Sequence, residues 1–225
     1  MDSWFVTGTD TGVGKTLIAA ALVHALARGG RRAVGMKPVA AGAEWRDGAL
    51  RNEDVEALIA AANGAAPREA VCPVLLPQAV APHIAAESAG VRITRQPIEA
   101  AFATLRAQFD MVVVEGVGGF RVPLAPDFDT ADLACFLGLP VVLVVGLRLG
   151  CLNHALLSAE AIAARGLRLQ AWVANRVDPA MAEAERNLAT LRRLLPAPCM
   201  GVVPHMARVD FREVADLLDI GVIIG

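Results

Sequence analysis

Only two of the 21 basic residues in this 225-residue sequence are lysines, Lys15 and Lys37, and all the others are arginines. Lysine is ordinarily among the commonest residues of a globular protein, so this chain has drifted to arginine wherever either cation serves. A lysine ammonium is a compact point charge, whereas an arginine guanidinium is a planar fork. We therefore expect the two remaining lysines to mark positions at which arginine does not serve.

Lys15 belongs to a glycine-rich segment, Gly8-Thr9-Asp10-Thr11-Gly12-Val13-Gly14-Lys15-Thr16. Glycines let the backbone curl so that its amide N–H groups converge on one centre, and the N-terminus of the following helix adds a positive end. A lysine here reaches the β- and γ-phosphates of a nucleotide, and the adjacent hydroxyl ligates Mg²⁺. Gly8 is separated from Gly14 by five residues, one more than in the usual P-loop. The segment predicts a nucleoside triphosphate site with Mg²⁺.

Two carboxylates are placed to complete a metal site. Glu115 directly follows a predicted buried strand, and the glycine-rich segment 116–119 permits close approach of the backbone to a ligand. Asp54 lies in the first turn of a predicted helix, where a carboxylate stabilises the helix dipole with or without a metal. From the residues alone, both roles of Asp54 stay open.

Lys37 stands at the end of the second predicted strand. Ligands of open α/β sheets bind at the carboxyl ends of the strands, so we expect Lys37 to face the same crevice as Lys15. The alternative is a solvated surface lysine, which the near-absence of lysine elsewhere disfavours.

The elements that must position these residues alternate along the chain. Short β-type runs and helix-length segments follow one another, which is typical of βαβ units. We predict an α/β fold over residues 1–225, as a single-domain, three-layer P-loop NTPase-like structure with a mostly parallel sheet flanked by helices. The predicted strands are 4–7, a strand within 32–39, 111–114, 141–145, 170–174 and 200–203. The predicted helices are 15–27, 53–62, 97–108, 153–164, 179–195 and 211–218, and a short helix near 83–88 interrupts the otherwise loop-like segment 65–96.

Composition excludes several classes of protein. The 21 basic residues are balanced by 23 acidic ones, whereas binders of nucleic acids or membrane surfaces usually carry a basic excess. No apolar run approaches the roughly 18 residues of a membrane helix, and the N-terminus lacks the pattern of a signal peptide. The four cysteines have neither metal-like nor disulfide-like spacing. We expect a soluble cytoplasmic protein without a nucleic-acid or membrane partner.

Five motifs resemble those of the dethiobiotin synthetase family in their order and approximate spacing. They are Gly8-Thr9-Asp10-Thr11-x-Val13-Gly14-Lys15-Thr16, Lys37-Pro38-Val39-Ala40-x-Gly42, Leu50-Arg51-Asn52-x-Asp54, Val114-Glu115-Gly116-x-Gly118-Gly119 and Gly150-Cys151-Leu152-Asn153-His154. The resemblance extends through Asn175 and Pro204 and covers nearly the whole chain. Any one motif is shared with other P-loop proteins, but the combination is specific.

The resemblance implies a homodimeric, ATP- and Mg²⁺-dependent cyclo-ligase of biotin biosynthesis. Such an enzyme closes the ureido ring of dethiobiotin from 7,8-diaminononanoate and CO₂ or bicarbonate. The diamine and CO₂ give a carbamate, whose oxygen attacks the γ-phosphate to form a carbamic-phosphoric anhydride. The second amine then closes the ring and expels phosphate.

The resemblance also assigns roles by matching position. Thr16, Asp54 and Glu115 are expected to hold Mg²⁺, which favours the metal-binding role of Asp54. The expected catalytic residues are Lys37, Lys15 and Thr11. Nucleotide binding is expected at Gly12, Val13, Gly14, Lys15, Thr16, Leu17, Asp54, Glu115, Gly116, Val117, Gly118, Asn175, Arg176 and Pro204. The diamine site is expected at Thr11, Lys37, Ala41, Val117 and Gly118, and the substrate's distal carboxylate at Gly150, Cys151, Leu152 and Asn153 across the subunit interface.

Two positions depart from the family pattern. Gly12 stands where members can carry an acidic residue, and Ala41 stands where a serine often helps to bind substrate. The carboxylate and the hydroxyl contact are missing here. We expect the reaction to survive both departures, with altered affinity.

Several alternatives stay open. Asn175-Arg176-Val177-Asp178 resembles the loop that recognises guanine in GTPases, whereas an Asn amide pairs well with the edge of adenine. A P-loop nucleotide switch of the partition or metallochaperone type is the main functional alternative. Such switches commonly carry a second lysine early in the loop, where this sequence has Asp10-Thr11-Gly12. An amidating ligase of the cobyrinate group is disfavoured because it usually carries a glutamine-processing domain.

Overall fold

A computed structural model describes residues 3–206 and 208–224 of the protein. The strands are β1 (Ser3–Gly8), β2 (Ala33–Met36), β3 (Val39–Ala41), β4 (Glu44–Arg46), β5 (Ala49–Arg51), β6 (Val74–Leu76), β7 (Met111–Glu115), β8 (Pro123–Ala125), β9 (Phe128–Asp129), β10 (Val141–Gly146), β11 (Leu169–Asn175) and β12 (Cys199–Val203). The helices are α1 (Lys15–Arg28), α2 (Glu53–Ala61), α3 (Arg68–Val71), α4 (Pro82–Ser88), α5 (Arg95–Gln108), α6 (Thr130–Leu137), α7 (Cys151–Ala164), α8 (Ala184–Leu194) and α9 (Phe211–Ala215).

A six-stranded parallel sheet forms the middle layer, in the order β12, β11, β10, β1, β7, β2. β1 lies inside the sheet, with Phe5 beside Val141 on one side and beside Val114 on the other. The carboxyl ends of β1, β2, β7, β10 and β11 therefore meet along one edge. The loops that leave this edge carry the residues with predicted chemistry.

Successive residues of each strand point to opposite faces of the sheet, and both faces are covered by helices. In β7, Met111 and Val113 pack into a core with residues of α1, α2 and α9. Val112 and Val114 pack into a second core with residues of α3, α5 and α6. On that face, β10 and β11 pack against α7 and α8. The three-layer α/β fold predicted from the sequence is confirmed.

α1 runs along the sheet directly below the glycine-rich segment. Its residues Ile18, Leu22 and Leu26 are fully buried at a spacing of four, which places them on one face of the helix. The helix begins after Gly14 and ends at Arg28, directly before the Gly29-Gly30 pair. The end of β1 and the start of α1 are therefore held in the core.

Several predicted element boundaries were wrong. α5 begins at Arg95, so Pro97 is the third residue of that helix; its missing N–H costs nothing because the N–H groups of the first turn have no partner within the helix. α8 begins at Ala184, later than predicted, and α9 ends at Ala215, earlier than predicted. The segment 65–96 contains α3 and β6, which the sequence analysis missed because each is at most four residues long.

α6 was missed although the sequence carries a signal for it. The Asp129 side chain accepts the N–H of Asp132, and the Asp132 side chain accepts the N–H of Asp129, which forms a capping box at the start of this helix.

In the part of the chain that the structure describes, no helix combines the length and apolarity needed to cross a membrane.

Candidate active site

The glycine-rich segment forms a tight loop between β1 and α1. Gly14 has a φ of 89° and is the N-cap of α1. A Cβ at this position would overlap the side-chain amide nitrogen of Asn175. That nitrogen donates a hydrogen bond of 2.9 Å to the carbonyl oxygen of Val13. The loop therefore requires glycine at position 14, and the end of β11 packs directly on it.

The buried Lys37 and Glu115 and the half-exposed Asp54 form a cluster of charges at the edge of the sheet. The Nζ atom of Lys37 lies 2.5 Å from Oε1 of Glu115 and 2.9 Å from Oδ2 of Asp54. Lys37 and Glu115 are only 3% and 1% exposed. Lys37 follows β2, Glu115 ends β7, and Asp54 lies in the first turn of α2, whose N-terminus is capped by the Asn52 side chain. Three separate elements thus converge on one point.

Burial and pairing set the ionisation of this cluster. Burial acts to lower the pKa of Lys37, but the carboxylates of Glu115 and Asp54 together hold that pKa above its ordinary value. Burial raises the pKa of Glu115 above the usual carboxyl value. Burial also acts to raise the pKa of Asp54, but the charge of Lys37 outweighs it and leaves that pKa below the usual value. Lys37 therefore stays protonated.

Lys15 lies close to this cluster but pairs differently. Its Nζ atom donates a 2.9 Å hydrogen bond to the backbone oxygen of Asp10. Burial lowers the pKa of Lys15 to about 8, and the nearby carboxylate of Glu115 offsets that effect only in part. The bound carbonyl is a weak partner that phosphate oxygens can replace.

The oxygen atoms around Glu115 suit a hard divalent cation. The hydroxyl of Thr16 donates a hydrogen bond to Oε1 of Glu115 at 2.7 Å. Asp54 is linked to Glu115 by Lys37, whose ammonium pairs with both carboxylates. Oε2 of Glu115 is buried without a hydrogen-bond partner, which is costly unless a cation or water completes its shell. In the described ranges no three His, Cys, Asp or Glu residues form a metal cluster. Mg²⁺ typically takes only one or two carboxylates besides phosphates and water, so this donor set fits it.

A cleft of about 690 Å³ opens above the cluster. Most of the residues predicted for phosphate and diamine binding line it: Thr11, Gly12, Gly14, Lys15, Thr16, Lys37, Ala41, Asp54, Glu115, Val117 and Gly118. Part of the lining was not predicted: Ala79, Val80, Ala81 and Pro82 form a wall at 79–82, and Val122 lies beside Gly118. The Pro-rich composition around α4 gave no indication of that role.

A second cleft of about 300 Å³ adjoins the first and shares Gly12 and Gly14 with it. It is lined by the predicted residues Leu17, Asn175, Arg176 and Pro204, by His205, Met206 and Val209 of the segment that begins at Pro204, and by Val177 and Val203, which were not predicted. Asp178 is not among the described residues that line this cleft. Its carboxylate instead accepts the N–H of Ala180 at 2.9 Å.

Gly12 forms the rim between the two clefts. Its φ is 73°, and no atom lies within 4 Å of the position that a Cβ would occupy. The missing acidic side chain at this position therefore leaves open space, and the packing of the loop does not depend on it.

Three groups of predicted residues lie outside both clefts. The side chain of Val13 is buried in the core below the loop. Gly150, with a φ of 95°, is the N-cap of α7, and Cys151, Leu152 and Asn153 form the first turn of that helix. Gly116 contributes its carbonyl oxygen, which accepts Nζ of Lys37 at 3.4 Å. The four residues at the start of α7 line neither of these two clefts.

Comparison with known proteins gives close relatives. A family model described as an AAA domain matches residues 2–213. The chain is 59% identical over 213 residues to the ATP-dependent dethiobiotin synthetase BioD of Aromatoleum aromaticum, and the match covers 95% of each chain. It is also 59% identical over 216 residues to the ATP-dependent dethiobiotin synthetase BioD of Ralstonia nicotianae, covering 96% of this chain and 94% of that one.

Solved structures share the fold at much lower identity. The septum site-determining protein MinD of Pyrococcus horikoshii, complexed with Mg-ADP, matches with a TM-score of 0.56 and 15% identity over 98% of this chain and 88% of that one. The MinC:MinD cell division protein complex of Aquifex aeolicus gives a TM-score of 0.57 at 17% identity, and the match covers 99% of this chain and 93% of that one. At these identities the likeness concerns the fold alone. On the evidence of its 59%-identical relatives, the chain belongs to the ATP-dependent dethiobiotin synthetase family, and it is a ligase of biotin biosynthesis.

Proposed function

We propose that the large cleft closes the ureido ring of dethiobiotin from 7,8-diaminononanoate, CO₂ and ATP, with Lys37 between the two substrates. The P-loop would hold the triphosphate on one side of the cleft, and the diamine would lie along Val117, Gly118 and the wall at 79–82. The observation that carries this proposal is the position of Lys37, which is buried and protonated at the floor of that cleft beside Glu115 and Asp54.

The chemistry requires charge stabilisation more than a strong base. One amine of the diamine adds to CO₂ and loses a proton, which gives a carbamate. A carbamate oxygen attacks the γ-phosphorus and ADP leaves; the second amine then attacks the carbamate carbon, and phosphate leaves with the former carbamate oxygen. Negative charge spreads over carbamate and phosphoryl oxygens in these steps, so Lys15 and Lys37 would stabilise it from two sides. Thr11 is proposed to orient the diamine from the rim of the P-loop.

Mg²⁺ would be held by Thr16, Asp54 and Glu115. When bound, it supplies positive charge to the phosphate oxygens. Lys37 pairs with the same two carboxylates, so its ammonium would lie next to the metal and the phosphate oxygens.

The distal carboxylate of the diamine would bind the N-terminus of α7 in a homodimer. Free N–H groups and the positive end of the helix dipole make such a terminus suitable for an anion. Gly150 to Asn153 do not line the cleft of their own subunit, which supports their acting on the substrate held by a partner subunit.

We expect ATP to be preferred over GTP. Asn175 uses its amide nitrogen on Val13, which leaves its carbonyl oxygen to accept a hydrogen bond from the N6 amine of adenine. Guanine has a carbonyl oxygen at that edge, and Asp178 is engaged elsewhere. One such mismatch costs about 1–3 kcal/mol, so turnover at equal, subsaturating concentrations should be roughly 5- to 150-fold faster with ATP. Asp178→Asn should leave this ratio unchanged, and equal turnover of the two nucleotides would contradict the assignment.

The proposed function is tested by the dependence of ADP release on the substrates. ADP should form only when the diamine, bicarbonate and Mg²⁺ are all present, and omission of any one should reduce it to background. Dethiobiotin should appear in a one-to-one ratio with ADP. ATP hydrolysis that does not respond to the diamine would instead support the nucleotide switch.

A further inference from the structure

An ion pair joins the P-loop to the segment that follows β10. The guanidinium of Arg148 donates to Oδ2 of Asp10, which is 138 positions away in the sequence. The other carboxylate oxygen of Asp10 accepts the N–H of Thr11 at 2.7 Å. Both oxygens are thus engaged, and the negative charge of Asp10 is matched by one arginine.

Asp10 lies next to the proposed triphosphate site. Its backbone oxygen holds the ammonium of Lys15, and the next residue, Thr11, lines the large cleft. A carboxylate so close to a triphosphate repels it. An acid at this point of a phosphate-binding loop is therefore unfavourable unless its charge is neutralised.

The backbone around Arg148 is fixed. Leu147 is fully buried and donates its N–H to the backbone oxygen of Asn175 at 2.7 Å. The carbonyl oxygen of Arg148 accepts the N–H of Cys151 at 3.0 Å. Within residues 3–206 and 208–224, no other basic side chain forms an ion pair with Asp10. Arg148 is therefore held where it can neutralise this one carboxylate.

We propose that Arg148 is a positioning residue for nucleotide binding, which neutralises Asp10 and directs its carboxylate away from the triphosphate. It acts through Asp10 and not by touching the nucleotide. This inference rests on the proposed placement of the triphosphate in the P-loop.

The test measures the dissociation constant of a non-hydrolysable ATP analogue with Mg²⁺ by calorimetry, at low and high ionic strength. Arg148→Gln leaves Asp10 unpaired, so binding should weaken roughly three- to tenfold at low ionic strength and less at high. The effect is modest because the two side chains are 40% and 45% exposed. Asp10→Asn should not weaken binding, and the double variant Asp10→Asn/Arg148→Gln should recover nearly the affinity of the unmodified protein. Arg148→Lys keeps the positive charge beside Asp10 and should bind the analogue with nearly the affinity of the unmodified protein.

The double variant separates this role from the alternatives. If it binds as weakly as Arg148→Gln, Arg148 contacts the nucleotide itself and the proposal is overturned. The same conclusion follows if Arg148→Gln lowers the melting temperature but leaves the dissociation constant unchanged. Arg28→Gln, which breaks an exposed ion pair with Asp216 at the far end of α1, is the control and should not affect binding.

Lys15→Gln distinguishes failure of this inference from failure of the proposed function. If Lys15→Gln leaves nucleotide affinity unchanged, the triphosphate does not bind in the P-loop and the proposed site is wrong. If Lys15→Gln weakens binding while Arg148→Gln does not, the P-loop placement stands and only the role of Arg148 is refuted.

Discussion

Lys37→Arg is expected to lower kcat by roughly 10²- to 10³-fold, the cost of removing one well-placed group that stabilises developing charge. The ammonium of Lys37 lies within 2.9 Å of two carboxylates in a site that is almost fully buried. A planar guanidinium on a longer side chain does not fit this position, although its charge is the same. The measurement is steady-state formation of dethiobiotin and ADP, and near-normal turnover would remove Lys37 from its proposed role.

The control exchanges the two cations at an exposed site. Arg32→Lys alters the ion pair with Asp110, in which both side chains are largely exposed, and kcat should not change. Melting temperatures of both variants show whether Lys37→Arg acts on the reaction or on the fold.

A paired substitution separates stability from catalysis more sharply. Lys37→Met leaves the buried carboxylate of Glu115 without its cation, which should lower the free energy of unfolding by about 3 kcal/mol. Lys37→Met/Glu115→Gln removes both charges and should regain most of that stability without regaining turnover. Recovery of turnover in the double variant would contradict the proposed role of Lys37.

Gly14→Ala is expected to weaken nucleotide binding roughly 30- to 150-fold. The left-handed backbone at this position costs a residue with a Cβ about 1–2 kcal/mol. The new methyl group would also displace Asn175 from the Val13 carbonyl, a hydrogen bond of about 1 kcal/mol. The free loop can relieve this strain only by leaving the conformation that binds phosphates, so the two costs together take about 2–3 kcal/mol from binding. Each 1.4 kcal/mol is a factor of ten. The dissociation constant of an ATP analogue gives the result directly.

Gly138→Ala is the matched control for Gly14→Ala. Gly138 also has a positive φ, 63°, but no atom lies within 4 Å of its would-be Cβ. This variant should lose about 1 kcal/mol of stability and bind nucleotide normally. If Gly14→Ala also binds normally, the contact between Asn175 and the loop is not needed for nucleotide binding.

The sequence allowed prediction of features that depend on local patterns. The P-loop lies within nine consecutive residues, and Lys37 and Glu115 each follow a strand that the apolar pattern identifies. The position of a strand end is enough to place such a residue at the ligand-binding edge of a parallel sheet. This is why the charged floor of the cleft could be predicted without a structure.

Features that depend on distant pairs could not be predicted. The wall at 79–82 faces the P-loop only after the fold forms, and its Pro-rich sequence is typical of a surface loop. Arg148 reaches Asp10 across 138 positions, and neither residue has a local pattern that identifies the other. Short elements such as β3 and β6 pair through three residues each, too few to show a period.

The open space over Gly12 has a consequence for how this loop can evolve. Since no neighbouring atom lies within 4 Å, a mutation that adds a side chain here meets only the cost of the left-handed backbone, which Asp and Asn tolerate better than most residues. At position 14, two residues further along the chain, a Cβ would overlap the Asn175 side chain. The same loop thus holds one position that has room for a side chain and one that does not.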